Sequence, residues 1–134
     1  MRAYFIAYVA AAAVMAGLDF AWLRVTVEPL YRPALGHLMA QDANLPAALA
    51  FYVIYVGGIV IFAVSPALAA RDWTIALTHG ALLGFVAYAT YDLTNLATLT
   101  VWPLGLSLID MAWGAVLTAM AACAGAAAAL ALAR

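Results

Sequence analysis

The sequence predicts an all-α integral membrane domain, an antiparallel bundle of four transmembrane helices, and three observations carry that prediction. Of 134 residues, 70% are hydrophobic and 8% charged, with a mean hydropathy of +1.09, whereas soluble domains run nearer half apolar and a quarter charged. Four apolar runs reach the roughly 20 residues that a helix needs to cross a ~30 Å hydrocarbon core. Each break between them holds proline or charge. Inside a bilayer no water satisfies a free backbone, so each run has to close its own hydrogen bonds as a helix.

Composition also excludes classes of function. Five basic residues, all arginine, stand against six acidic ones. No basic stripe is present to neutralise phosphates, so nucleic acid is not an expected partner. Cys123 is the sole cysteine, which excludes an intrachain disulfide and a multi-cysteine metal site. The whole chain, 1–134, reads as one domain.

The first span is expected over residues 4–23, with Tyr8, Met15, Asp19 and Trp22 along one inward face. A cleavable signal peptide is the rival reading of this start, given Arg2, the apolar run and the small pair Ala16 and Gly17; the run's continuation through Asp19 to Trp22 disfavours it. Residues 24–45 form the one long connection. Pro29 and Pro33 are expected to interrupt any helix early, leaving residues 34–40 as an interfacial turn or short helix with Leu35, Leu38 and Met39 toward lipid. A loop resting on the membrane surface is favoured there over a gating lid.

The second span is expected over 46–64, opening on Pro46, where a first-turn proline costs no hydrogen bond. It is expected to close at Ser65-Pro66, because a proline disfavours helical geometry in the residue before it. The third span, 73–98, carries Tyr88, Tyr91, Asp92 and Asn95 at i, i+3, i+4 and i+7, a single polar stripe. His79 falls on the opposite face and reads as a helix-contact or interfacial histidine. Gly80 and Gly84 form a small-residue motif that suits packing within the monomer or a homo-oligomer, as does the Ala-rich fourth span, 104–132. That last span begins after Pro103 and carries Asp110 and Trp113.

Arginine sets the expected orientation, since lysine and arginine in short flanking segments favour the cytoplasmic side. Arg2, Arg71 and Arg134 fall inside when both termini are cytoplasmic, leaving Arg24 and Arg32 outside. With that topology Asp19, Asp92 and Asp110 all lie about 10 Å below the same membrane face. A carboxylate within a span costs roughly 2.5 to 3.5 kcal/mol on insertion scales and therefore usually faces protein or water. Three at one depth read as a pocket that binds a cation, exchanges a proton or holds a polar head group. The plainer reading is that they bond to Asn95, Thr94, Tyr91 and indoles and merely join helices.

Two local strings, Leu18-Asp19-Phe20-Ala21-Trp22 and Ile109-Asp110-Met111-Ala112-Trp113, are near copies. Together with Tyr91-Asp92-Leu93-Thr94-Asn95-Leu96-Ala97-Thr98 and Trp102-Pro103-Leu104, they resemble a bacterial family of small four-helix membrane proteins known only as a domain of unknown function. The resemblance covers nearly the whole chain. It implies a multi-pass protein of the bacterial inner membrane. Members that lie near genes for fatty-acid modification and oxidative stress imply a lipid-linked role, as an accessory to such chemistry.

The residues themselves favour a lipid or amphiphile binder. Asp19, Asp92, Asp110 and Asn95 would engage a polar or cationic head, Trp22, Trp102 and Trp113 would wall the site, Tyr88 and Tyr91 of the polar stripe count among the binding residues, and the apolar bundle would accept the tail. A proton or cation carrier is the alternative, and a structural subunit of a membrane complex the plainest option. An enzyme is disfavoured, since no nucleophile has a partnered base and no motif specifies a substrate bond. No cofactor and no metal site are expected: three aspartates would suit a hard cation only with added carbonyls and waters.

Overall fold

A computed structural model describes residues 1–133; Arg134, which the orientation reading counts, lies outside them. The described chain is helical almost throughout, and four helical stretches are long and apolar enough to cross a membrane: Arg2–Leu35, Leu45–Ala70, Trp73–Thr98 and Leu104–Leu132. The third and fourth have the bounds expected from sequence. The first two run further, and both extensions pass through proline.

The first stretch is α1 (Arg2–Thr26), a π-helical turn (Val27–Tyr31) and α2 (Arg32–Leu35). Pro29 and Pro33 therefore do not end the helix early. Pro29 sits within the π turn, where Arg32 N–H bonds to Val27 O, and Pro33 occupies the first turn of α2. The wider turn changes which carbonyl each amide must meet, so a missing N–H is absorbed without a break. The second stretch repeats the device: α3 (Leu45–Ile59), a π turn (Val60–Val64) and α4 (Ser65–Ala70). Ser65-Pro66 is thus not the end of the span. The break comes at Arg71, which takes a left-handed conformation with φ 55°, and at Asp72, whose carboxylate caps α5 (Trp73–Thr98). Thr74 donates its N–H and hydroxyl to that carboxylate at 2.9 and 2.7 Å, and those bonds hold Asp72 below the ordinary carboxylate range. The start of α3 is capped by the Asn44 side chain, which accepts from Ala47 N–H at 3.1 Å.

The remaining helix, α6 (Leu104–Leu132), is the centre of the fold, flanked by α1 on one side and α5 on the other. Small residues set the close approach. A Cβ added to Gly80 would stand 2.8 Å from Ala122 Cβ and 2.9 Å from Thr118 O, and one on Gly84 would collide with Gly114 O and Thr118. Gly125 brings α6 equally close to Ala7 and Ala11 of α1. The Gly80–Gly84 face is therefore occupied by α6 of the same chain. Ala7, Ala11, Ala63, Ala67, Ala76, Ala121, Ala122 and Ala126 are all fully buried, so helix association rests on backbone proximity and van der Waals packing, the usual basis where lipid removes the hydrophobic drive between helices. Phe5, Phe20, Ile54, Phe62 and Leu82 point outward as a lipid-facing belt.

His79 meets the second stretch. The Phe62 carbonyl lies four residues before Pro66, whose imino nitrogen has no hydrogen for it, and His79 Nδ1 donates to that carbonyl at 3.2 Å. The histidine is a helix-contact residue, and the proline explains why one is useful there.

Candidate functional site

Toward one end of the bundle the alanine packing gives way to large polar and aromatic side chains around a cavity of about 240 Å³. The helix bearing each group is set by the packing below it. α1 contributes Asp19 and Trp22, α5 contributes Tyr88, Tyr91 and Asp92, and α6 contributes Asp110 and Trp113, with Trp102 from the turn before α6. Eight of the nine residues expected from sequence line this one space. Asn95 does not: it lies one turn beyond Asp92, half-buried and outside the lining.

The three aspartates share the cavity but not their partners. Asp110 accepts from the Tyr31 hydroxyl at 2.6 Å, and Tyr31 in turn accepts from Trp22 Nε1 at 3.1 Å. Asp19 accepts from the Tyr52 hydroxyl. Asp92 is 1% exposed, and neither of its carboxyl oxygens has a hydrogen-bond partner among the described residues. The Trp113 indole N–H is likewise buried and unpartnered. Asp92 and Trp113, the residues that carry these groups, both line the cavity. Buried polar groups without partners are rare, because each forfeits about 1 to 3 kcal/mol of solvation. Two such groups belong to residues of one cavity.

Aromatic packing fixes the walls. Trp22 stacks on Trp113 with ring centroids 4.4 Å apart, and Tyr91 meets Trp102 edge-on at 5.7 Å. Trp102 Nε1 donates to Ser107 Oγ at 3.0 Å, which fixes the ring where the chain turns into α6. Deeper in the bundle the Tyr55 and Thr118 hydroxyls bond at 2.8 Å. Met15, Val56, Ile59 and Leu117 are fully buried in the core. Among the described residues no three His, Cys, Asp or Glu side chains converge closely enough to hold a metal ion.

Sequence reasoning missed Tyr31 and Tyr52, which hold two of the three carboxylates. Tyr31 lies in the stretch expected to be a surface loop, and Leu35, expected to face lipid, lines the cavity instead. Leu38 and Met39 are exposed. The continuation of α1 through its π turn carries Tyr31 and Leu35 over the site, so this segment roofs the cavity. An aromatic hydroxyl between two prolines gave a weak signal; Tyr52 and Tyr55, one helical turn apart on an otherwise apolar run, gave a stronger one.

Residues 4–127 match a family described as "Predicted membrane protein (DUF2177)", and the chain belongs to that family. No curated protein and no solved structure matches the chain.

Proposed function

We propose that this member of the family binds a membrane amphiphile by its polar head, within the aspartate and tryptophan cavity. The observation that carries the reading is the pairing of a buried, unpartnered carboxyl on Asp92 with a buried, unpartnered indole N–H on Trp113. A head group offering a donor, such as an ammonium or hydroxyl, beside an acceptor would satisfy both at once. Trp22 and Trp113 add aromatic surface that favours a cation once it is desolvated. By the ~30 Å³ that one water occupies in the liquid, a space of about 240 Å³ suits a head group rather than an entire lipid.

Placed in the bacterial cytoplasmic membrane with both termini inside, the site opens near the outer face, under a roof made by Tyr31 and Leu35. A proton or cation carrier would need a run of polar steps below the cavity, and the Tyr55–Thr118 hydroxyl pair there is set among the fully buried Met15, Val56, Ile59 and Leu117. The binding reading uses the aspartates without such a path.

The test is the lipid that co-purifies with the protein, compared by mass spectrometry for wild type, Asp92→Asn and Asp110→Asn. The reading expects a distinct amphiphile enriched over bulk membrane lipid in wild type and depleted at least several-fold in Asp92→Asn. Identical lipid content in the three proteins would overturn it.

A further inference from the structure

The sequence suggested that the apolar bundle would take the ligand's tail, and the close packing of Gly80, Gly84 and Gly125 against neighbouring backbone leaves no room for one there. A second space lies beside the head cavity. It is about 340 Å³ in volume and is bounded by Phe51 and Tyr55 of α3, Ala87, Tyr88 and Tyr91 of α5, and Asp110 of α6. Its wall is almost entirely apolar. Tyr88, Tyr91 and Asp110 also line the head cavity, so these three side chains form the boundary between the two spaces.

The groove lies where α3 and α5 pack little against each other. α5 packs on the π turn Val60–Val64 and on α4 rather than on α3. The seam between α3 and α5 is thereby left open beside the head cavity. Phe51 stacks on Tyr55 at 5.2 Å along one bank of the seam. Ala87 on the other bank leaves the depth that a larger side chain would fill.

From this continuity we infer that the groove between α3 and α5 holds the hydrocarbon chain of the amphiphile whose head occupies the aspartate cavity, and that the ligand is a single-chain amphiphile loaded sideways from the bilayer. The inference rests on the head-group reading above. Three features argue for that occupant: shared walls with the head cavity, an apolar lining, and a position on helices long and apolar enough to cross a membrane. At ~30 Å³ per water-sized volume, the groove is sized for part of one chain and not for two side by side.

The experiment uses the full chain in phosphatidylcholine nanodiscs, with intrinsic tryptophan fluorescence as the readout and two probes, dodecylammonium and butylammonium, each corrected for partitioning into empty discs. Wild type should bind the long probe at least tenfold more tightly than the short one after that correction. Ala87→Phe, which fills the groove, should lower affinity for dodecylammonium about tenfold and leave butylammonium unchanged. Phe51→Ala, which removes one bank without adding bulk, should weaken the long probe severalfold and spare the short one. The inference is overturned where both variants bind dodecylammonium as wild type does, or where both lose the two probes to the same degree. Binding of neither probe by wild type would instead remove the head-group reading itself, and this inference with it; unaltered butylammonium binding in Asp92→Asn would do the same.

Discussion

Trp22 and Trp113 lie face to face, with ring planes 7° apart and centroids separated by 4.4 Å. Each stands three residues after an aspartate in nearly the same local sequence, on helices that meet across the bundle. The repeated spacing places a carboxylate and an indole on one face of each helix, and stacking the two indoles brings both carboxylates to one cavity. The likeness ends at the indole nitrogens. Trp22 donates to Tyr31, and Trp113 donates to nothing among the described residues.

That asymmetry predicts unequal costs for equal substitutions. Trp22→Phe keeps a ring in the stack but removes the donor to Tyr31, and should cost about 0.5 to 1.5 kcal/mol, the net worth of one hydrogen bond. Trp113→Phe makes the same cut in ring size but loses only an unpaired N–H besides, so it should be less destabilising than Trp22→Phe by about that one hydrogen bond. Melts of the two variants side by side check this; an equal loss in both would mean that the stack alone matters.

Asp92 allows a sharper contrast. A carboxyl that merely joined helices would leave stranded partners behind when replaced by leucine. Asp92 makes no hydrogen bond among the described residues, so Asp92→Leu and Asp92→Asn should both stay close to wild-type thermal stability while losing bound lipid. Asp110→Leu should behave differently, because it leaves the Tyr31 hydroxyl without its acceptor, and should cost about 1 to 2 kcal/mol.

The glycines separate close packing from open surface. Gly84→Ala would drive a Cβ against Gly114 O and Thr118, and overpacking of this kind costs about 1 to 3 kcal/mol. Gly17 has nothing within 4 Å of an added Cβ, so Gly17→Ala should be neutral, or slightly stabilising through helix propensity. Thermal unfolding of both variants in one detergent is the comparison.

The four long apolar helices, the bounds of the last two, and the common cavity of eight of the nine expected residues were legible because they depend on one-dimensional signals: run length, proline position and helical spacing. The first two spans were misjudged at their ends because a π turn has no such signal. Pro29 and Pro66 read as terminators, yet each follows or sits in a turn whose wider hydrogen bonding accommodates it. The partners of Asp19 and Asp110 were hidden for a related reason. Tyr31 and Tyr52 reach them across 79 and 33 residues of sequence, and helical periodicity ranks residues within a helix, not between helices. Asn95 fitted the stripe by angle but lies beyond the cavity by one turn.

Arginine placement predicts both termini in the cytoplasm, with the aspartate cavity toward the outer face. Reporter fusions after Arg71 and Arg134 should register inside, and one after Asp42 outside. An outside signal at Arg134 would invert the side from which the cavity opens.

The last prediction concerns Pro66 and His79, and it isolates one hydrogen bond by restoring its competitor. Proline cannot serve the carbonyl four residues earlier, and His79 Nδ1 bonds to that Phe62 carbonyl at 3.2 Å. His79→Leu in the wild-type background should therefore destabilise the fold by about 0.5 to 1.5 kcal/mol, the range for bonds between helices in a membrane. Pro66→Ala returns a backbone N–H to the second stretch, which can then bond within its own helix. In that background His79→Leu should cost little. A double-mutant cycle on thermal or denaturant unfolding reads the coupling directly: a coupling of about 0.5 kcal/mol or more supports the compensation. Strict additivity would mean that the histidine and the proline act independently, and that the π turn alone carries the helix through Pro66.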